Sequence, residues 1–246
     1  MSRPTGAPSK SERREFTVGV VVPAAGSGQR LGGMEKPFLE LCGEPVLMRA
    51  LRPFLDHPGV REVVVTLPTA HAESPPAWLI EADQRIRVVT GGVTRRDSVW
   101  AGLQLLSDAL DVAVVHDAAR PFVSPDVVGR CIDLAGRGFG GVAGVPAVDT
   151  IKEVDGDGRI VATPDRSRLW HAQTPQAFPL GVIMDAYRRA LTEDFPATDD
   201  AALVERAGGQ VTMVESSEEN LKITRPEDLE MAEFMLSRPS VAPPRS

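Results

Sequence analysis

The chain has 246 residues, 42% hydrophobic and 25% charged, with a net charge of -7. A length and composition of this kind predict about one or two soluble globular domains, a size at which one α/β domain buries a full core, and exclude a fibrous or wholly disordered chain. The acidic balance, and the lack of any ~20-residue apolar run, exclude nucleic acid and membrane as main partners.

Residues 1–16 carry Ser, Pro, Arg, Lys and Glu without an apolar core, so a disordered lead is expected and not a signal peptide. The first strand, Thr17–Pro23, runs into Ala24-Ala25-Gly26-Ser27-Gly28-Gln29-Arg30, and Lys36 follows. Small residues let backbone N–H groups approach a phosphate chain, and the two cations stand where a triphosphate gathers charge during reaction. A dinucleotide fingerprint is excluded because its third glycine would be Leu31, and a Walker loop because Gly33 is followed by Met34-Glu35. The rival reading of this segment is a tight strand-to-helix turn of any α/β protein.

Val46, Leu47, Ala50, Leu51, Phe54 and Leu55 repeat at helical spacing, and strands Glu62–Leu67 and Ile86–Thr90 follow. The second ends in Gly91-Gly92-Val93-Thr94-Arg95-Arg96-Asp97-Ser98, opening into a helix marked by Val99, Leu103, Leu106 and Leu110. Asp97 or Ser98 is expected to cap that helix, and Arg95 is a candidate cation for phosphate or for bracing the loop. Strand Val112–His116 ends in Asp117-Ala118-Ala119-Arg120. An acid at that end, beside a phosphate loop, is placed either for Mg²⁺, directly or through water, or for capping the loop. Val127, Val128, Cys131 and Leu134 mark a helix and Gly141–Pro146 a strand.

Thr150–Val154 and Arg159–Thr163 flank Asp155-Gly156-Asp157-Gly158 as a hairpin, and an extended stretch, Leu169–Phe178, follows. Together they form an inserted β-arm, about 148–178. Ile183, Ala186, Tyr187 and Ala190 mark a helix, and Thr198-Asp199-Asp200 are placed to cap the next. A last strand, Gln210–Val214, leads to Asn220-Leu221-Lys222-Ile223-Thr224 and a helix from Pro226 to Leu236, beyond which 237–246 is a Pro-rich tail. Cys42 and Cys131 lack metal-type spacing and point to reduced thiols in a cytoplasmic protein.

Alternation of strand and helix over 17–236 predicts a doubly wound, mostly parallel, Rossmann-like sheet with ligands beyond the carboxyl ends of its strands. The arm's apolar face (Ile151, Ile160, Val161, Leu169, Trp170) needs a cover, either a second subunit or the parent domain.

Taken in order, these segments resemble the 2-C-methyl-D-erythritol 4-phosphate cytidylyltransferase family over about residues 18 to 236. The matching pieces are Pro23-Ala24-Ala25-Gly26-Ser27-Gly28 with Arg30 and Lys36, Gly91-Gly92 with Arg95 and Ser98, His116-Asp117-Ala118-Ala119-Arg120-Pro121, and Asp149-Thr150-Ile151-Lys152. Trp170-His171-Ala172-Gln173-Thr174-Pro175-Gln176, Thr198-Asp199-Asp200 and Asn220-Leu221-Lys222-Ile223-Thr224 complete the set. Glu35 stands where the family has proline, and no second cyclase domain is expected.

The resemblance implies transfer of CMP from CTP to methylerythritol phosphate in non-mevalonate isoprenoid synthesis. It implies that Arg30 and Lys36 hold the triphosphate with Mg²⁺, and that Arg166 and Lys222 grip the sugar phosphate with Thr150, Arg120 and Thr174. It sets Asp117 near ribose, metal and acceptor hydroxyls. Pro23 to Gly28, Gly92, Val93, Arg95, Ser98, Asp117 and Ala118 would surround the nucleotide. It further implies a homodimer through the arm, with Thr150 and Arg166 in the partner's site. The acceptor, a phosphate monoester with a second pKa of about 6, arrives ionised and needs no general base. His116 and His171 are accordingly read as structural. Two other functions stay open: a ribitol 5-phosphate cytidylyltransferase, and a non-catalytic nucleotide-binding regulator. A dehydrogenase is disfavoured by the broken glycine fingerprint.

Overall fold

Runs of valine build the centre of the molecule. The computed structural model describes residues 15–26, 38–193, 195 and 197–238. After β1 (Val18–Pro23) come a short hairpin, β2 (Glu40–Leu41) and β3 (Glu44–Pro45), then α1 (Val46–Leu55) and β4 (Val60–Leu67). Two short helices, α2 (Thr69–Glu73) and α3 (Ala77–Ile80), precede β5 (Ile86–Thr90), α4 (Arg95–Leu103) and β6 (Val112–Val115). Next are α5 (Pro125–Gly136), β7 (Gly140–Pro146), the hairpin β8 (Glu153–Val154) with β9 (Ile160–Ala162), and β10 (Trp170–Pro179). The chain closes with α6 (Leu180–Glu193), α7 (Asp200–Arg206), β11 (Val211–Glu215) and α8 (Pro226–Ser237).

Seven strands make one sheet in the order β11-β7-β10-β6-β1-β4-β5. Every neighbouring pair is parallel except those of β10, which runs antiparallel to both β6 and β7. Strands covered on both faces are apolar at almost every position, and β1, β6 and the buried part of β4 from Val63 are rich in valine. Val20 and Val22 turn to one face, against Leu47, Leu51 and Phe54 of α1 and Val128 and Cys131 of α5. Val21 turns to the other, against Val99 and Leu103 of α4, Ile183 and Tyr187 of α6 and Leu203 of α7. Leu51 is fully buried, so Leu51→Ala costs about 3 kcal/mol. The doubly wound, mostly parallel sheet is therefore as expected.

Three boundaries differ from the sequence reading. Phe16, assigned to the lead, packs against the core beside Gly136, while 1–14 lie outside the described residues. The last helix takes in Ser237, the first residue assigned to the tail, and 239–246 lie outside the described residues. The predicted arm divides in two. Only β8 and β9 form a separate hairpin, whereas Trp170–Pro179 is a strand of the main sheet, buried from Gln173 to Phe178. Its sequence lacks the alternation of a half-covered strand because both its faces are covered there. Along β8 and β9, Val154, Ile160 and Val161 stay more than half exposed.

Candidate active site

Loops after the carboxyl ends of β1, β5 and β6 meet around a cavity of about 210 Å³. Its walls are Pro23 to Gly26 after β1, Gly92 to Arg95 with Ser98 after β5, Asp117 to Ala119 after β6, and Lys222. The first two loops touch: a Cβ on Gly91 would lie 2.3 Å from Cβ of Ala25, so only glycine permits the approach. Ser98, expected to contact the nucleotide or cap the helix, lines the cavity and staples its loop but is not the cap. Its Oγ accepts from the Gly92 N–H at 3.1 Å and donates to the Thr94 carbonyl at 3.0 Å. The cap of α4 is Thr94, whose hydroxyl accepts from the Asp97 N–H while the Asp97 carboxylate accepts from the Thr94 N–H. Val93 stands fully exposed on the rim.

A second cavity of about 280 Å³ shares Arg95, Asp117 and Lys222 with the first and adds Arg120, Gln173, Thr174 and Thr198. Asp117 stands at the boundary and faces three cations. Arg95 Nε lies 3.2 Å from Oδ1, Lys222 Nζ 2.7 Å from Oδ2, and Arg120 Nε 3.6 Å from Oδ2. Burial pushes the Asp117 carboxyl up, but Arg95, Lys222 and Arg120 outweigh it and hold the group well below the usual carboxylate range. Arg120 is pulled down by its own burial and partly restored by Asp117. Its NH1 donates to the Asn220 carbonyl at 2.7 Å.

Arg95 reaches further. Its two terminal nitrogens hold Asp200 of α7 in a bidentate pair at 3.1 and 2.7 Å, and Asp200, fully buried, also accepts from the Tyr187 hydroxyl of α6. Burial opposes the Arg95 charge, yet Asp200 and Asp117 raise its pKa above the ordinary arginine value. The guanidinium braces the site more than it awaits a phosphate. Asp200 and Tyr187 were missed as site residues. Thr198-Asp199-Asp200 reads as a helix cap, which Asp199 is, accepting from the Ala202 N–H at 2.9 Å.

Behind Asp117 lies His116, wholly buried with its ring 4.9 Å from that of Phe54. Its Nε2 is 3.0 Å from the Arg120 carbonyl oxygen and its Nδ1 3.1 Å from Oγ1 of Thr174. Burial lowers its pKa to about 4, against the pull of that carbonyl and of Asp117. Thr174 was expected to touch the acceptor. It lines the polar cavity, nearly buried, with its hydroxyl engaged by His116 and by the Asp117 N–H at 3.0 Å.

Thr150 and Arg166 line neither cavity; both are exposed on the arm, where Arg166 NH1 donates to the Val148 carbonyl at 2.6 Å. Ser27, Gly28, Arg30 and Lys36 lie outside the described residues. Asp117 does not fit as a direct Mg²⁺ ligand, because both its oxygens already face cations. Among the described residues no three His, Cys, Asp or Glu side chains gather as a metal site.

A small-residue pocket at the ends of parallel strands, joined through shared cations to a polar one, on a Rossmann-like sheet, defines a nucleotidyltransferase. The family model for 2-C-methyl-D-erythritol 4-phosphate cytidylyltransferase matches residues 18–238. A relative of that name from Symbiobacterium thermophilum is 45% identical over 90% of this chain and 94% of its own length. Another, from Syntrophotalea carbinolica, is 42% identical over 91% and 98%. The crystal structure of 4-diphosphocytidyl-2C-methyl-D-erythritol synthase from Anaerococcus prevotii superposes with a TM-score of 0.82 at 29% identity, covering 91% of this chain and 97% of that one. That of the cytidylyltransferase from Thermus thermophilus gives 0.75 at 33%, covering 90% and 98%. The chain belongs to the 2-C-methyl-D-erythritol 4-phosphate cytidylyltransferase family.

Proposed function

We propose that the chain joins CTP and 2-C-methyl-D-erythritol 4-phosphate, giving 4-diphosphocytidyl-2-C-methyl-D-erythritol and pyrophosphate, in non-mevalonate isoprenoid biosynthesis. Family membership carries the reaction. The observation that supports its placement is the pair of cavities meeting at Arg95, Asp117 and Lys222. The nucleotide occupies the small-residue cavity and the acceptor phosphate the polar one. An oxygen of the acceptor phosphate attacks the α-phosphorus of CTP, and the bond from that phosphorus to the bridging oxygen breaks as pyrophosphate leaves.

Such a nucleophile is already ionised, so the work of the site is to align two anions and offset their repulsion. Arg30 and Lys36 hold the triphosphate, and Lys222, Arg120 and Arg166 take the acceptor phosphate. No proton need be moved, which agrees with a His116 sealed behind the site. Arg30 and Lys36 would hold the triphosphate together with Mg²⁺, which when bound would lower its charge.

The same reading extends to assembly and place. The exposed Val154, Ile160 and Val161 favour a homodimer in which the arm carries Thr150 and Arg166 into the partner's site. Cys42 and Cys131 are both free thiols, which suits the cytoplasm. Among the described residues no helix is long and apolar enough to cross a membrane. Pyrophosphate release from CTP, offered each acceptor in turn, tests the assignment. Methylerythritol phosphate is expected to support turnover; a higher kcat/KM with ribitol 5-phosphate refutes it.

A further inference from the structure

We propose that His116 is a positioning residue, closing with Thr174 a ring of ordered hydrogen bonds that sets Asp117 and Arg120 between the two cavities. The inference rests on the reading above, in which those two charged groups serve the acceptor side.

Two groups in the ring have only one role open to them, and they order the rest. The Asp117 N–H can only donate, so Oγ1 of Thr174 accepts it at 3.0 Å. At the other end the Arg120 carbonyl, 3.0 Å from Nε2 of His116, can only accept, so the neutral ring carries its proton on Nε2. Nδ1 is then an acceptor, and the Thr174 hydroxyl gives its single proton to it at 3.1 Å. A last bond, from the Arg120 N–H to the Asp117 carbonyl at 3.0 Å, closes the circuit. The opposite tautomer would set a bare Nε2 lone pair against the Arg120 carbonyl oxygen.

The consequence is geometric. Asp117 is pinned at its amide and Arg120 at its carbonyl, and the two charged side chains leave from those pinned atoms toward the second cavity. The Phe54 ring packs on the imidazole and helps to hold it. Thr174 belongs to β10, where the pairing with β7 is irregular between Ala172 and Gln176. His116 lines neither cavity, so it acts through its neighbours and not on substrate.

The test compares Thr174→Val, which keeps shape and loses the hydroxyl, with Thr174→Ser, which keeps the hydroxyl, and with His116→Gln. Acceptor kcat and KM, CTP binding by calorimetry and thermal midpoints are read for each. Thr174→Val and His116→Gln are expected to lower kcat/KM for the acceptor about tenfold or more, the scale of a misplaced reacting group, with CTP affinity intact. Thr174→Ser should recover most of the loss. The double variant should fall little below the weaker single, since a ring opens once. Multiplying losses, or a lowered midpoint with unchanged kinetic constants, overturn the inference. Arg120→Gln separates the two possible failures. Intact acceptor kinetics there overturn the site reading and the ring together, whereas a loss there beside unchanged Thr174→Val kinetics overturns the ring alone.

Discussion

Acid should loosen this fold through His116 before it touches the carboxylates. The group is sealed from water, and its pKa falls from 6.5 to about 4 in the folded chain. An unfolded chain takes up that proton as pH drops through 6.5, while the folded chain refuses it until about 4. Stability from this group is therefore complete above pH 6.5 and declines steadily below it. At about 1.4 kcal/mol per pH unit the loss reaches about 3 kcal/mol near pH 4, a large part of the ordinary stability of a domain.

Urea unfolding of the parent chain and of His116→Gln, followed from pH 7 to pH 4, isolates the effect. His57 is also lowered by burial and adds acid sensitivity of the same sign, but it is present in both proteins and cancels. Asp117, held low, gives up stability only below the ordinary carboxylate range, outside this window. The stability gap between the two proteins should narrow by about 3 kcal/mol on acidification. Parallel curves would refute a His116 held neutral by the fold.

Four further outcomes are expected. Lys36→Ala and Arg30→Ala should each lower kcat about a hundredfold or more, the scale of one lost transition-state donor; a raised KM for CTP alone would show uniform binding instead. Arg95→Ala strands Asp200 without its cation and should cost about 3 kcal/mol in urea unfolding, so a loss under about 1 kcal/mol contradicts the bracing role. In the β2–β3 turn Cys42 (φ 52°) and Gly43 (φ 78°) both have positive φ, so Cys42→Asn should stabilise by about 0.5–1 kcal/mol; an unchanged unfolding midpoint counts against it. Mixing inactive Arg166→Ala and Lys36→Ala chains should restore activity if each site draws on two subunits, and confirmed subunit exchange without recovery excludes that arrangement.

The parallel core was legible because its signals are local and strong. Valine-rich runs at β1, β4 and β6 admit almost no other structure, and the start of α4 was marked by its polar residues, although the cap is Thr94 and not the expected Asp97 or Ser98. What escaped was written in contacts distant along the chain. Trp170–Pro179 has no pattern of its own that sets it between β6 and β7; only the pairing of its backbone with both does so. Thr174 was legible as a residue of the polar cavity, but its hydrogen bonds to Asp117 and His116, 57 and 58 residues earlier, were not. Asp200 reads as helix-cap chemistry, and nothing nearby in sequence hints at an arginine 105 residues before it.

Burial sorts the three cations around Asp117 by what each can do. Arg95 is tied to a fully buried carboxylate by both ends of its guanidinium, and moving it would strip Asp200 of its charge partner. Arg120 has an 11% exposed side chain and is held by the Asn220 carbonyl and by Asp117. Lys222 is different: its side chain is 42% exposed, and among the described residues its ion pair is with Asp117. A flexible ammonium can leave one oxygen for another with little loss of geometry, which a bidentate guanidinium cannot. In the proposed reaction this divides the work. Among these three, Arg95 keeps the boundary between the cavities in place, Arg120 meets the acceptor phosphate from a fixed position, and Lys222 can shift to follow it. Asp117 then serves to hold Lys222 at the boundary until that phosphate arrives, and to balance the arginines after the lysine has moved.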